Sequence, residues 1–256
     1  MRVEKRFRFV GSALLLTLFM LLSTFFPFDK SFIFVLIFVI LGFILTYLSI
    51  LEGIYSIEFY TLFFLPIVLT VSLYLFYFLF PARWLTRVPF VAFYAVSIYA
   101  VLLCSNIFNV GVEKSLQLYR AAFSVNFFYQ TLVSFLLFST LLSFKPHFLL
   151  GMIGSGTIVF LLSLQLFWTV KLEAGIDKML LMFAGFVALI IAELTAIGSF
   201  LPIKTTIFSL FLTSSYYSLA GLINNFLDQR LFKETIREYV SVWIIVFIIT
   251  LLSISW

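Results

Sequence analysis

Residues 179–200 read MLLMFAGFVALIIAELTAIGSF, a run with a single ionisable side chain, Glu193. At about 1.5 Å of rise per helical residue, it is long enough to cross a hydrocarbon core of roughly 30 Å. Eight further apolar runs of similar length surround it, which gives nine spans: 9–28, 32–51, 59–80, 90–110, 121–143, 148–170, 179–200, 205–227 and 240–256. The fold class expected is therefore all-α: a multi-pass transmembrane helix bundle forming a single integral membrane domain, 1–256.

Composition agrees. The chain is 64% apolar and 11% charged, with a mean hydropathy of +1.20. Soluble domains carry about 25% charged residues. The net charge of +5 suggests no nucleic-acid partner here, because topology accounts for it. Eleven of the sixteen Lys and Arg residues fall on one side of the expected topology, including Arg2, Lys5, Arg6 and Arg8. That bias places the N-terminus in the cytoplasm and, after nine crossings, the C-terminus outside. The opening residues, MRVEKRFR, resemble a signal-peptide start. The exit of that segment, STFFPFD at 23–29, has no small-x-small cleavage site, so an uncleaved first helix is expected.

Five of the six prolines (Pro27, Pro81, Pro89, Pro146 and Pro202) are read at outer turns, and Pro66 within the third helix, where it should kink it. The four tryptophans (Trp84, Trp168, Trp243 and Trp256) are read as interfacial anchors. Residues 228–239, DQRLFKETIREY, place Leu231, Phe232, Thr235, Ile236 and Tyr239 at helical spacing against a charged face, so a short amphipathic inner-face helix is expected.

Helices approach closely in lipid where small residues let their backbones touch. Seven of the eleven glycines lie between Gly151 and Gly221. Gly185, Ala188, Ala192, Thr195 and Ser199 form one small-residue face in 179–200. Thr213, Tyr217, Gly221, Asn224 and Asp228 form a polar face in 205–227. The sixth, seventh and eighth segments are therefore expected at the centre, and the Phe-, Leu- and Ile-rich second, third and ninth at the lipid rim.

The chemistry is sparse. A charged side chain near the bilayer centre costs about 2.5–3.5 kcal/mol on insertion scales, so it normally faces protein or water. Glu193 lies roughly 10 Å below the outer boundary, Ser155 and Thr157 roughly 10–13 Å, and Thr213 and Ser214 roughly 12–14 Å. These five residues form the candidate intramembrane polar site: a proton or cation relay, an anchor for a substrate, or a polar contact that glues helices together. A second candidate, at the inner face, comprises Asn106, Asn109, Glu113, Lys114, Gln117, Arg120 and Asn126, with Gln130 deeper in the fifth segment. It reads either as a headgroup site or as ordinary helix caps with snorkelling bases.

SNIFNV at 105–110, followed by QLYRAA at 117–122, resembles a family of bacterial polytopic membrane proteins with no assigned activity. That resemblance implies a bacterial cytoplasmic membrane and adds no mechanism. HExxH, GxSxG, P-loop and dinucleotide-binding fingerprints are all missing from the sequence. One cysteine, Cys104, and one histidine, His147, leave no cysteine cluster and no multi-histidine site. No metal or cofactor is expected, and an enzyme is the least favoured class. The expected partners are the lipid bilayer and either a membrane-protein partner or a second copy of the chain. The expected function is a carrier of a small solute, ion or lipid, or else a structural or assembly subunit.

Overall fold

The computed structural model describes residues 5–50, 58–80, 84–110, 116–172 and 175–254. They hold nine long α-helices: α1 (Lys5–Ser23), α2 (Ser31–Ile50), α3 (Glu58–Tyr77), α4 (Trp84–Val110), α5 (Leu116–Ser143), α6 (Phe148–Lys171), α7 (Lys178–Gly198), α8 (Thr205–Leu227) and α9 (Lys233–Leu252). A single 3-10 turn, Phe28–Lys30, precedes α2, and no strand occurs among the described residues. Each of the nine is long and apolar enough to cross a membrane. The protein is an all-α, multi-pass membrane protein.

The chain divides into two compact units, 1–129 and 130–256, with the border inside α5. In the first unit, α1 to α4 pack pairwise around Leu16, Met20, Phe38, Tyr74, Tyr94 and Ile98, all completely or almost completely buried. Aromatic rings fill this core. Phe38 meets Tyr74 at 5.0 Å and Phe19 at 5.3 Å, distances at which ring pairs attract beyond simple burial.

Pro66 sits inside α3, which continues through it. Proline has no N–H, so the Leu62 carbonyl one turn earlier loses its helical donor. Ser105 Oγ, on α4, donates to that carbonyl at 3.1 Å. Thr70 Oγ1 donates to the Pro66 carbonyl at 2.8 Å and lies 3.0 Å from Tyr94 Oη. A defect in α3 thus becomes a polar link between α3 and α4.

The second unit is closed differently. The small-residue face of α7 meets the glycines of α6. A Cβ built on Gly156 would stand 3.3 Å from Ala192 Cβ and 3.6 Å from the Ala188 carbonyl, so the two backbones run close together. Helix α9 docks on α8 through Gly221, where an added Cβ would stand 2.4 Å from the Tyr239 ring. Trp243 Nε1 donates to Ser215 Oγ at 2.9 Å, and Ser218 Oγ to the Tyr239 carbonyl at 3.0 Å.

Four expectations need correction. Residues 233–239 are not a separate inner-face helix but the first turns of α9; nothing between 233 and 252 breaks the helix, and the turn falls earlier, at Gln229 with φ 56°. The third segment is not at the rim, since 61% of its spanning window is buried, as in α8, against 6% for α9. A helix apolar all round suits protein and lipid equally, so composition could not separate the two. Pro89 lies within the second turn of α4 rather than between helices. Among the described tryptophans only Trp84 sits exposed at a helix end; Trp168 is fully buried and Trp243 bonds to α8. Pro81 and Trp256 lie outside the described residues.

A buried amide and phenol chain as candidate functional site

The five residues of the intramembrane candidate do not converge. Glu193 is on the exposed side of α7, one helical face with Met182, Phe186, Leu189 and Ile197. It forms no hydrogen bond or ion pair with the described residues. Thr157 is also exposed, and its hydroxyl donates to the Ile153 carbonyl of its own helix. Ser155 and Ser214 are buried but donate within their helices, to the Met152 and Phe211 carbonyls. Thr213 is buried, and its Oγ1 has no hydrogen-bond partner among the described residues.

Beside the exposed pair, α6 and α7 leave a shallow outward groove of about 360 Å³, lined by Gly156, Thr157, Gly185, Ala188, Leu189 and Ala192. Of the inner-face candidate, Gln117 and Arg120 are exposed, Asn106 and Asn109 are half-buried, and Asn126 is buried. Glu113 and Lys114 lie outside the described residues. His147 is exposed at the start of α6, its ring against Phe148. No group of three potential metal ligands occurs among the described residues.

The second unit instead gathers a different set. Tyr216 Oη, on α8, donates to Gln130 Oε1 on α5 at 2.9 Å. Gln130 Nε2 in turn donates to Gln165 Oε1 on α6. Gln130 and Tyr216 are completely buried, and Gln165 almost so. Three helices thus share one amide–amide–phenol chain. Tyr216 is midway along α8 and Gln130 near the middle of α5, roughly 17 and 20 Å along the axis from the nearer helix ends.

The chain has spare capacity. The Gln165 amide nitrogen makes no hydrogen bond with the described residues. Thr213 Oγ1 (one turn from Tyr216), Ser163 Oγ (two residues from Gln165) and Asn224 Oδ1 are buried without partners among the described residues. A buried polar atom left unpaired costs about 1–3 kcal/mol, and a polar guest that reached Thr213 Oγ1 would recover that cost.

Gln130 stands out in the sequence beside the inner-face candidate, whereas Gln165 and Tyr216 do not, because neither carries a charge. One signal was available. Gln165 is the only amide side chain in 148–170, and it belongs to a helix joined to α5 by a short turn. Comparisons with family models, with curated proteins and with solved structures find no match for this chain.

Proposed function

We propose that the protein carries a small polar solute without net charge through the membrane, with the Tyr216–Gln130–Gln165 chain as the group that holds the solute within the bilayer. The carrying observation is the buried hydrogen-bond chain that crosses α5, α6 and α8, midway along α5 and α8, with the unpaired Thr213 hydroxyl one turn from Tyr216. Amides and a phenol offer both donors and acceptors and no fixed charge, which matches a neutral hydrogen-bonding solute better than an ion. The bias of Lys and Arg supports an N-terminus in the cytoplasm.

The test is permeability. Proteoliposomes should swell in urea or glycerol faster than protein-free vesicles, and Gln130→Leu and Tyr216→Phe should each lose most of the difference. Wild-type vesicles that swell no faster than empty ones, or variants that stay as permeable as wild type, would rule the reading out.

A second reading, an assembly subunit, is favoured by one observation. Glu193 faces outward from an apolar helix face beside the Gly156–Gly185 groove, where a helix from another subunit would shield the carboxyl from lipid. Cysteine placed at Leu189 should then cross-link to a neighbouring subunit in native membranes; no cross-linked species would remove this reading.

A further inference from the structure

The end of the first unit where α1 turns into α2, α3 finishes and α4 begins holds a pocket unrelated to the amide chain. Its volume is about 360 Å³, and its walls include Phe25, Phe26, Phe28, Tyr77 and Phe80, with Arg87 as the only cation among its described lining residues. The guanidinium of Arg87 is fixed from three sides. Its central carbon lies 4.5 Å from the Phe25 ring centroid and 5.7 Å from that of Trp84, while Nε donates to Tyr77 Oη at 2.9 Å. The two rings in turn pack edge to face at 5.6 Å. Lys30 Nζ stands 5.7 Å from the Phe26 centroid, a second cation at the same turn.

No carboxylate pairs with Arg87 among the described residues, and its terminal nitrogens have no hydrogen-bond partner there. Asp29, the nearest acid in sequence to this turn, is exposed and makes no ion pair with it. The arrangement is unusual for a structural arginine, which normally ends on a carboxylate or on backbone carbonyls. Holding a planar fork rigid while leaving its terminal N–H groups free matches bidentate recognition of an oxyanion. The aromatic walls suit an apolar or glycerol-like portion attached to that anion. The pocket also lies at helix ends, the level at which lipid headgroups meet a spanning helix.

We propose that this pocket binds a phosphate-bearing anion, with Arg87 gripping the phosphate oxygens, Lys30 adding charge and the Phe25–Trp84–Tyr77 cluster fixing the guanidinium. The shared chemistry is the phosphate group, and its source is either a lipid headgroup or free phosphate. The pocket belongs to a different unit from the proposed solute site, so either proposal can fail alone.

The test uses the purified full chain, stripped of lipid in detergent and titrated with mixed micelles containing phosphatidylglycerol, with bound lipid read by native mass spectrometry. Wild type should bind, and Arg87→Gln should weaken binding about tenfold, the loss expected for charge-assisted hydrogen bonds. Excess inorganic phosphate then separates the sources: competition assigns the site to phosphate itself, and persistence of bound lipid assigns it to the headgroup with its apolar part. No binding of either probe by wild type, or equal binding by Arg87→Gln, overturns the proposal. If Arg87→Gln is not monodisperse, Arg87→Lys replaces it. That variant keeps the charge but loses the fork and the Tyr77 bond, so wild-type affinity there is equally fatal.

Discussion

The two units join their helices with different polar side chains. In the first, hydroxyls repair backbone defects: Ser105 serves the carbonyl that Pro66 leaves without a donor, and Thr70 links Pro66 to Tyr94. The space between helices is filled by aromatic rings. In the second, small residues bring α6 against α7, and amide side chains bond to each other and to Tyr216 across three helices. A site in lipid is therefore best sought in side-chain networks. A side chain that completes a backbone bond is used up, whereas a side-chain network retains donors and acceptors that a guest can use.

The contrast can be broken most severely in the second unit. We predict that Gln165→Leu lowers stability by about 2–3 kcal/mol, because the Gln130 amide is left buried without an acceptor. The triple variant Gln130→Leu/Gln165→Leu/Tyr216→Phe should cost less than this single change, since it leaves no orphan. Thermal unfolding in one detergent compares them; a triple variant worse than the single would mean that the network acts through packing.

Gly221→Leu comes next, at about 1–3 kcal/mol, because the new side chain collides with the Tyr239 ring and α9 has to shift. Protease sensitivity of α9 reads this out, and an unchanged cleavage pattern counts against the docking described above. Ser105→Ala should cost about 0.6–1.7 kcal/mol, the range for interhelical hydrogen bonds in membranes. The companion change Pro66→Ala restores an amide donor for the Leu62 carbonyl, so the serine effect should shrink in that background. Equal losses in both backgrounds would show that Ser105 does not serve the proline defect.

The smallest effect expected is for Glu193→Leu, within about 0.5 kcal/mol for the isolated chain, as for surface changes that touch no special feature. A large loss on melting would show that the carboxyl has a partner within the chain, contrary to its exposure. A loss seen only in native membranes would favour the assembly reading.

Much of the fold was legible because membrane insertion is set by length and hydropathy, which are properties of a segment alone. The eighth segment matches α8 at both ends, and the sixth and seventh match α6 and α7 within two residues. The middle of the small-residue face of 179–200 packs against α6, with Ala188 and Ala192 on Gly156 and Thr195 on Gly151, whereas Gly185 is open and Ser199 exposed. The site was less legible. Glu193 drew attention as the one charged side chain in its span, yet a single helix does not reveal which of its faces another helix will cover. Gln165 and Tyr216 looked unremarkable beside it because an amide or a phenol gains significance only from its partners.

By itself, then, the sequence determined the solvent, the class and almost all of the segments, since each apolar run must satisfy its own backbone hydrogen bonds in lipid. Tertiary structure decided the rest. It placed α3 inside and Glu193 outside, joined Gln130 to Gln165 and to Tyr216 across intervals of 35 and 86 positions, and fixed Arg87 among aromatic rings. The physical reason is that lipid and protein interior are almost equally apolar. Hydrophobicity therefore inserts a helix without choosing its neighbours, and that choice falls to small residues, backbone defects and polar pairs that act only once helices meet.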